Sequence, residues 1–481
     1  MRWLTMLLLL VLGVFMANAQ VNPAPTSAPA APRKSTLAEQ SQVALTVYNS
    51  NIALVKEQRE IDLAAGENTL QFTDVAAQII PTTVHVKSLS DAQALHILEQ
   101  NYEYDLLNPE KLLEKFVGKE VKLFDKNYYS GKDELVDATL LSTNNGFIYR
   151  INNEIHINPP GRVILPQVPE NLMAKPTLVW LLHTSRAGKQ KIEASYLTNQ
   201  ITWQADYVAL LNEDDTKTDL TGWVTIDNKS GAVYQNATLK LVAGDIHRLT
   251  PPQVYDKTMM MEARVAAAPP QFKEESFFEY HLYTLDRPAT VKDNQTKQMT
   301  LLSATGIPIT KRLLFRGQQM YFYAAYGEET FKKQKVSIVL EIENAQKNNL
   351  GIPLPKGTVR VYKADKDGNN QFIGEDAIDH TPKDEQVSIK MGEAFDVVGT
   401  RKQTDFKRVS NTVSEMTWEI ALRNHKAEEV TVRVEEPVPG DWEVLSNSHK
   451  YTKADAHTLR FEVPVPKDGE AKVTYRVRVR M

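Results

Sequence analysis

The C-terminal part of the chain alternates apolar and polar residues so regularly that few folds can accommodate it. Apolar side chains occupy every second position of several runs, and mostly Arg, Lys, Glu and Thr stand between them. The runs are Met416 to Leu422, Val430 to Val434, Leu459 to Val463, and Val473 to Val479. Because successive side chains of a strand point to opposite faces, each run predicts a strand with one buried and one solvated face. Such strands predict an antiparallel β-sandwich.

The same alternation also occurs in transmembrane barrels, which need strands of about 9–11 residues with a continuous lipid-facing band. Many of the runs here are shorter, and 24 prolines interrupt the chain. We therefore expect no transmembrane insertion.

Strand signals also recur upstream, beginning with Val43, Leu45 and Val47. Between residues 105 and 170 they are short and closely spaced by Asn- and Gly-containing turns. The strands there are predicted at Val121–Phe124, Ala138–Ser142, Gly146–Ile151 and Glu154–Ile157. This spacing predicts a small barrel-like module or a curled sheet.

One helix is predicted inside this region. Asn108 is a favourable N-cap, Pro109 suits the first helical position, and Gly118 can end the helix. The apolar stripe of this helix consists of Leu112, Leu113, Phe116 and Val117.

The first residues predict export from the cell. Arg2 precedes an apolar run from Leu4 to Met16, and the small-residue site Ala17-Asn18-Ala19 follows. This order is typical of a signal peptide, cleaved near Ala19, and the run is shorter than the about 20 residues of a membrane span. The Pro- and Ala-rich sequence that follows predicts a flexible tether over 20–42. The mature protein is therefore expected to be periplasmic or extracellular.

The composition excludes several kinds of function. The chain has no cysteine, which excludes disulfides, thiol catalysis, thiolate metal sites and a lipid-modified N-terminus. Its 56 basic and 60 acidic residues are interleaved, which argues against a nucleic-acid partner. The zinc-protease, nucleophile-elbow and phosphate-loop motifs are absent from the sequence. We predict no cofactor and no metal, and we assign no catalytic residue.

These patterns together predict a multi-domain, mostly β protein of antiparallel, immunoglobulin-like sandwiches, with a small N-terminal barrel-like module and one short helix. The stretch from Pro251 to Pro270 shows no period and predicts a mobile loop or linker. The predicted segments are a signal peptide (1–19), a tether (20–42), an N-terminal β domain (43–175), a first sandwich part (176–250), a linker (251–275), a second sandwich part (276–410) and a C-terminal sandwich module (411–481).

The histidines offer no clear site. His449 and His457, or His85 and His96, are close in sequence, but either pair would need a third metal ligand that cannot be assigned. His380 has acidic neighbours in Glu375 and Asp376, so a general base could be drawn there. A turn closed by Thr381-Pro382 explains the same residues without chemistry, and we favour that reading.

Two acidic stretches superficially resemble calcium loops. Asp365, Asp367 and Asn369 have the right spacing at first, but the sixth and twelfth positions of the loop are Asn370 and Asp376. A hairpin turn at Asp367-Gly368 fits better. The run Glu213–Asp215 likewise predicts a solvated turn.

Two aromatic clusters could stack sugar rings if they were exposed. They are Phe277, Phe278, Tyr280 and Tyr283, and Tyr321, Phe322, Tyr323 and Tyr326. In the second cluster both faces would be apolar, which is typical of a buried strand, so we favour core packing.

A set of short motifs extends over about 190–481. They are Tyr196–Asn199, Trp203–Tyr207, Leu220–Val224, Asn228–Gly231, Leu241–Asp245, Glu279–Tyr283, Asn294–Thr296, Gly392–Asp396, Arg423–His425 and Pro439–Trp442. Together these motifs resemble the bacterial domain of unknown function 4139 family, which is grouped with mucoidy-inhibitor-like proteins. The resemblance implies an exported, β-rich bacterial protein and no catalytic residue. Related proteins carry a long coiled coil before this domain, and no sustained heptad is visible here.

Two functions remain open. The first is a non-enzymatic protein of the cell envelope that binds an envelope protein or a polysaccharide, or assists assembly. The alternative is an envelope hydrolase that acts on polysaccharide or peptide through carboxylate or His groups. The lack of a catalytic motif favours the first.

Overall fold

The computed structural model describes residues 31–103, 108–126, 133–167, 175–247, 271–327 and 334–481. The predicted signal peptide, the first part of the predicted tether and most of the predicted linker lie outside these ranges. Within them the chain is mostly β with one α-helix, which confirms the predicted fold class.

The strands and the helix are numbered in chain order. The N-terminal third contains β1 (Arg33–Ser35), β2 (Gln40–Tyr48), β3 (Ile52–Leu63), β4 (Gly66–Thr73), β5 (His85–Ser88), β6 (Leu95–Glu103), α1 (Pro109–Lys115), β7 (Glu120–Lys126), β8 (Asp133–Ser142), β9 (Ile148–Ile151), β10 (Glu154–Ile157) and β11 (Arg162–Ile164). The middle contains β12 (Thr177–Thr184), β13 (Gly188–Asn199), β14 (Ile201–Leu211), β15 (Lys217–Asn228), β16 (Tyr234–Ala243), β17 (Phe272–Phe277), β18 (Tyr280–Leu285), β19 (Ala289–Val291), β20 (Gln295–Arg316) and β21 (Gln334–Glu343). The remainder contains β22 (Gly357–Ala364), β23 (Asn370–Ile378), β24 (Gln386–Arg408), β25 (Val413–Asn424), β26 (Val430–Pro437), β27 (Asp441–Asn447), β28 (Tyr451–Asp455), β29 (Thr458–Val465) and β30 (Gly469–Arg480). Short 3-10 helices lie at Leu37–Glu39, Pro81–Thr83, Gln319–Phe322 and Gln346–Asn348.

The described strands form four sheets. The first sheet has the order β1-β4-β12-β6, and the second has the order β10-β9-β8-β7-β11. The third has the order β17-β18-β16-β2-β3-β13-β5, with β19 paired to β16. The fourth has the order β23-β22-β14-β15-β20-β21-β24-β25-β30-β27, with β26 paired to β20 and β29, and β28 paired to β29. Most pairs are antiparallel, as predicted, but β1 with β4, β2 with β16, β14 with β22 and β20 with β26 are parallel. Parallel neighbours require a crossover connection, so these pairs join strands from distant parts of the chain.

The first and largest core lies between the first, third and fourth sheets. Phe72 and Trp180 come from the first sheet, Val47 from the third and Trp203 from the fourth. The rings of Phe72 and Trp180 have centroids 5.0 Å apart, which is typical of packed aromatic pairs. Since β12 pairs with β4 and β6, the predicted boundary between residues 175 and 176 separates strands of one sheet.

The second core confirms the alternation at the C-terminus. The predicted inward positions of β25, β29 and β30, together with Val432 and Val434 of β26, are fully buried. Leu313 and Phe315 of β20 and Val336 of β21 pack into the same core. The predicted boundary at 410 and 411 therefore falls in the turn between β24 and β25, which are paired strands that share this core.

The third core belongs to the short strands and the helix. Asn108 caps α1, since its side-chain oxygen accepts from the backbone N–H of Lys111 at 2.8 Å, and Phe116 packs against Leu123 and Leu140. The helix is therefore confirmed. The barrel-like module is not, because β7–β11 form an open sheet in which β10 and β11 are the two outer strands and do not pair with each other.

Two segments predicted to be flexible contain strands. Arg33–Ser35, inside the predicted tether, pairs with β4, and the carbonyl oxygen of Ser35 accepts from Arg59 at 3.0 Å. The guanidinium of Arg59 is fully buried, lies 3.5 Å from the centre of the Phe72 ring, and pairs with Glu57. The polar tripeptide is therefore held by strand pairing and by a buried arginine, and Thr73 also donates to the Ser35 carbonyl at 3.0 Å. Likewise, β17 begins at Phe272, inside the predicted linker.

A second buried ion pair lies in the second core. Arg401 of β24 and Glu436 of β26 are both essentially inaccessible to solvent and form a salt bridge. Arg401 also donates to the side-chain oxygen of Gln334 at 3.0 Å and lies over the rings of Phe315 and Tyr321. Each of the two large cores therefore contains one arginine held by a carboxylate and an aromatic face.

Replacing Arg401 with Met should lower the free energy of unfolding by about 3–5 kcal/mol, because Glu436 would keep a buried charge without its counter-ion. The double variant Arg401→Met, Glu436→Leu should recover much of that loss. Urea denaturation followed by tryptophan fluorescence measures both. The control is Lys472→Met, which breaks an exposed pair with Glu470 and should cost about 0–1 kcal/mol. Equal losses in the single and double variants would contradict this account.

Candidate functional site

A cleft of about 390 Å³ lies where four segments that are distant in sequence meet. Its walls come from the residues after β16, the first part of β18, the segment before β22 and the segment after β23. The pairing of Ala243 with His281 joins the first two segments, and a backbone bridge between Leu354 and Thr381 joins the other two. We call this site the His380 cleft. Its lining residues are Ala243, Gly244, Asp245, Glu279, Tyr280, His281, Tyr283, Pro353, Leu354, Pro355, His380, Thr381 and Pro382.

Gly244 allows the wall of the cleft to close around Tyr280. Its φ angle is +136°, and a Cβ atom there would lie 2.4 Å from Cδ1 of Tyr280. Any other residue would therefore be strained in its backbone and would displace the Tyr280 ring. The Gly244 position is a specific requirement for this aromatic wall.

Two buried tyrosines support the proline-containing wall from below. The hydroxyl of Tyr207 donates to the carbonyl oxygen of Pro355 at 2.7 Å, and the hydroxyl of Tyr283 donates to that of Pro353 at 3.1 Å. Burial raises the pKa of both phenols well above the usual value, so both remain donors. These bonds fix the backbone of 353–355 on the first core.

His380 is the most unusual polar group of the cleft. Its Nδ1 accepts from the backbone N–H of Lys356 at 3.2 Å, and its buried Nε2 has no hydrogen-bond partner among the described residues. Burial lowers the pKa of His380 below its ordinary value, and the charge of Lys356 lowers it further, although Asp245 and Asp379 oppose this. Because Nδ1 accepts, the neutral ring carries its proton on Nε2. His380, a lining residue of the cleft, therefore carries a buried N–H donor at Nε2.

Charged side chains surround the opening. Lys356 Nζ lies 2.8 Å from a carboxylate oxygen of Asp245, and this bond lowers the pKa of Asp245. His281 Nδ1 lies 2.7 Å from a carboxylate oxygen of Glu274 on the neighbouring strand. Glu279 is exposed beside them. The opening is polar, whereas Leu354, the prolines and Tyr280 make much of the interior apolar.

The residues considered as site candidates from the sequence are only partly brought together. Tyr280, Tyr283 and His380 meet in the cleft, while Glu375 and Asp376, the acidic neighbours of His380 in sequence, do not line it. His85 and His96 lie on different sheets. The ring of His449 contacts the hydroxyl of Ser448, and the backbone N–H of His457 donates to Asp455. Across the part of the chain that the structure describes, no three His, Asp or Glu side chains are grouped so that they could hold a metal ion.

Both calcium-like stretches are turns, as we favoured. One oxygen of Asp365 accepts from the backbone N–H groups of Asp367 and Asn369 at 3.0 and 2.9 Å, which closes the turn between β22 and β23. Asp215 instead binds Lys311 and Lys363. Burial alone would raise the pKa of Asp215, but these two lysines lower it.

The aromatic clusters differ from the prediction. Tyr321 and Phe322 are buried against Trp418, but they lie in a 3-10 helix rather than in a strand, and Tyr323 is exposed. The prediction of a strand at this position was wrong, because apolar residues on both faces of a short run do not distinguish a strand from a helical turn. In the first cluster Tyr283 is buried, whereas Phe278 is 83% exposed beside Tyr280. Core packing therefore holds for only part of each cluster.

Sequence reasoning missed Asp245, Lys356 and the prolines as members of a site. Asp245 and Tyr280 lie within the motifs Leu241–Asp245 and Glu279–Tyr283, but nothing in a single sequence indicates that these motifs meet residues 353–355 and 380–382. The available signal was the density of Pro and Gly beside these motifs, since such residues shape close backbone approaches.

The fold and the cleft define a β protein of several packed sheets with a ligand-sized recess between strand ends. The model of a family described as Domain of unknown function (DUF4139) matches residues 192–481. The chain therefore belongs to this family, as its motifs indicated, and every lining residue of the His380 cleft lies within the match. No curated protein compared with the chain matches it. Along the described residues, no helix is both long enough and apolar enough to cross a membrane.

The lowered pKa of His380 makes a testable contribution to stability. A folded-state pKa below the ordinary value of about 6.5 means that the folded protein binds fewer protons than the unfolded chain, so this contribution is present above that pH and is lost as the pH falls. Wild type should therefore lose more stability between pH 7.5 and 5 than His380→Asn, as measured by urea unfolding at about those pH values. In NMR the His380 ring should titrate below its ordinary range. A midpoint at or above the ordinary value would contradict the assigned geometry.

Proposed function

We propose that this protein is an exported, non-enzymatic binding protein of the bacterial cell envelope, and that the His380 cleft holds an extended segment of a partner protein. The observation that carries the proposal is the buried Nε2–H of His380, a donor without a partner among the described residues. A buried donor that finds no acceptor costs about 1–3 kcal/mol, so a ligand acceptor placed there gains stability.

The bonding of His380 favours binding over catalysis. A general base needs a free nitrogen lone pair, but the lone pair of Nδ1 already accepts from Lys356 N–H. If the proton moved to Nδ1, the Nδ1–H group would point at the backbone N–H of Lys356, and the two donors would repel each other. His380 is therefore suited to donate a hydrogen bond to a carbonyl oxygen rather than to abstract a proton.

The walls of the cleft favour a polypeptide ligand. The volume of the cleft is within the range of about 300–1,000 Å³ that is common for ligand pockets. The interior of the cleft combines apolar side chains with one fixed donor, the Nε2–H of His380. Leu354 and Tyr280 can contact an apolar side chain, while His380 can bind the neighbouring backbone carbonyl. Peptides are commonly recognised in this way: hydrogen bonds hold the peptide backbone, and a pocket holds one of its side chains.

The alternative is a hydrolase centred on His281. The contact between His281 Nδ1 and Glu274 resembles the orientation of a general base by a carboxylate. The only aliphatic hydroxyl among the described lining residues is that of Thr381, and it already donates to the carbonyl oxygen of Asp379 at 2.8 Å. An enzyme here would therefore have to activate water.

The cleft can be tested by site-specific photocrosslinking in the native cells. A photoreactive amino acid at the exposed Glu279 should give a defined adduct, whereas the same group at the exposed Glu443, outside the cleft, should not. The yield of this adduct should fall about tenfold in His380→Asn. The Asn side chain can still accept from Lys356 N–H, but it does not reach the position of the Nε2 donor.

Three results would contradict the proposal. They are the same adduct from both positions, an adduct that is unchanged in His380→Asn, and an adduct whose added mass survives complete proteolysis and is therefore not a polypeptide. Circular dichroism of His380→Asn serves as the folding control. Turnover of a peptide or glycan that is lost in His281→Asn would favour the hydrolase instead.

Export has a separate test. Mass spectrometry of the protein from fractionated cells should find it outside the cytoplasm with Gln20 as its first residue. Ala17→Arg together with Ala19→Arg should block processing and retain the longer form. Protein that keeps residues 1–19 in the cytoplasmic fraction of wild-type cells would refute export without bearing on the cleft.

A further inference from the structure

A second and larger recess, of about 840 Å³, lies on the outer face of the fourth sheet. Alternate residues of neighbouring strands point into it: Arg312, Leu314 and Arg316 of β20, Ser337, Val339 and Glu341 of β21, Gln386, Ser388 and Lys390 of β24, and Arg433 and Glu435 of β26. Arg460 of β29 and Asp376 of β23 complete its sides. We call this recess the arginine groove. It shares no lining residue with the His380 cleft.

Two carboxylates at the bottom of the groove each hold two arginines. Glu341 lies 3.0 Å from both Arg312 Nε and Arg433 Nη1. Glu435 lies 3.1 Å from Arg316 Nη2 and 2.7 Å from Arg460 Nη2. Both glutamates are mostly buried, whereas Arg316 is 67% exposed and Arg460 is about a third exposed. The carboxylates lie deep, and Arg312, Arg316 and Arg460 are more exposed than they are. Arg433 is only 15% exposed and also binds Glu462 at 2.7 Å.

This layering prepares the arginines for an anionic ligand. A guanidinium carries five N–H donors in a rigid fork, so one edge can bind the glutamate while another remains available. The described lining has five basic side chains against three acidic ones, which leaves a positive excess. Because the glutamates already fix the arginine side chains, less side-chain entropy is lost when a ligand binds.

The spacing of the two clusters matches an extended peptide. In the parallel pairing of β20 with β26, Arg433 is opposite Leu314 and Glu435 is opposite Arg316. Arg433 is therefore displaced from Arg316 by two residues, about 7 Å along the strands, whereas Arg312 is four residues, about 13 Å, from Arg316. In an extended chain the side chains of residues i and i+2 lie on the same face at about 7 Å spacing. Two acidic residues at i and i+2 would meet Arg433 of one cluster and Arg316 of the other.

The rest of the lining supports a peptide over a sugar polymer. Leu314 and Val339 supply apolar side chains, and Ser337, Ser388 and Gln386 supply polar ones. Among the described lining residues none is aromatic, so the groove lacks the ring faces on which sugars stack. We propose that the arginine groove binds an extended acidic peptide segment with carboxylates at positions i and i+2.

Fluorescence anisotropy with the full-length protein can test this proposal. The probe is a labelled hexapeptide with glutamates at its second and fourth positions, and the comparison peptides carry glutamine there or adjacent glutamates. Arg316→Gln should weaken binding of the probe by about tenfold, since one charge-assisted hydrogen-bonded contact is lost. Wild-type protein should bind the glutamine peptide at least as weakly as Arg316→Gln binds the probe. It should also bind the adjacent-glutamate peptide less tightly than the probe.

A matched control is available on β25 and β30. Glu415 lies between Arg476 and Arg478 in the same type of arrangement, at 2.8 and 2.7 Å, but outside the groove. Arg478→Gln should leave the affinity for the probe unchanged. Equal losses in Arg316→Gln and Arg478→Gln would show a general charge effect and overturn the proposal. Binding of an acidic oligosaccharide in preference to the peptide, or no dependence on glutamate spacing, would overturn it as well.

Discussion

The continuity of β20 is the constraint on which the rest of the structure depends. This strand runs for 22 residues from Gln295 to Arg316. Its first part pairs with β15 and places Met299 and Leu302 in the first core, whereas its last part pairs with β21 and β26 and places Leu313 and Phe315 in the second. Neither core is complete without it. A single strand therefore serves two hydrophobic interiors, and each part of it has to turn apolar side chains toward its own core.

Two local irregularities in the pairing of β20 with β15 allow β20 to reach both cores. The register with β15 shifts between Thr218 and Leu220 and again between Gly222 and Trp223. Gly306 adopts a φ of +65° there, and its N–H donates to Asp219 at 2.8 Å. Bulges of this kind bend and twist a strand without ending its pairing. They let one strand leave the first core and enter the second, and they present Arg312 and Arg316 on its outer face.

The sequence predicted local features far better than assembled ones. The helix at 109–115 and the turn at Asp365 are determined by nearby capping residues, and the period of two in β25 and β30 directly reports their buried face. In contrast, β1 is held by β4 and by Arg59, which lies 24 residues from Ser35 in sequence. Nothing within Arg33–Ser35 indicates that partner. The 3-10 helix at 319–322 was mistaken for a strand because short apolar runs have no distinctive period.

The functional surfaces show the same limit more strongly. The His380 cleft joins segments between residues 243 and 382, and the arginine groove joins residues between 312 and 460. Single residues of both sites look ordinary in sequence, and only the sheet order brings them together. In sequence His380 stands near Glu375 and Asp376, yet the side chains whose charges act on it are Lys356, Asp245, Asp379 and His281. The chemistry of the site is therefore a property of the topology rather than of any one motif.

The central claim is that β20 is one unbroken strand that holds both cores and, through them, both recesses in place. Hydrogen exchange of the backbone amides of β20, resolved by NMR or by overlapping peptides in mass spectrometry, tests it most directly. We expect the hydrogen-bonded amides from Met299 to Phe315 to exchange slowly and to open together, because neither core can release the strand alone. Fast exchange confined to the stretch around Gly306, with the two halves opening at different free energies, would contradict the claim.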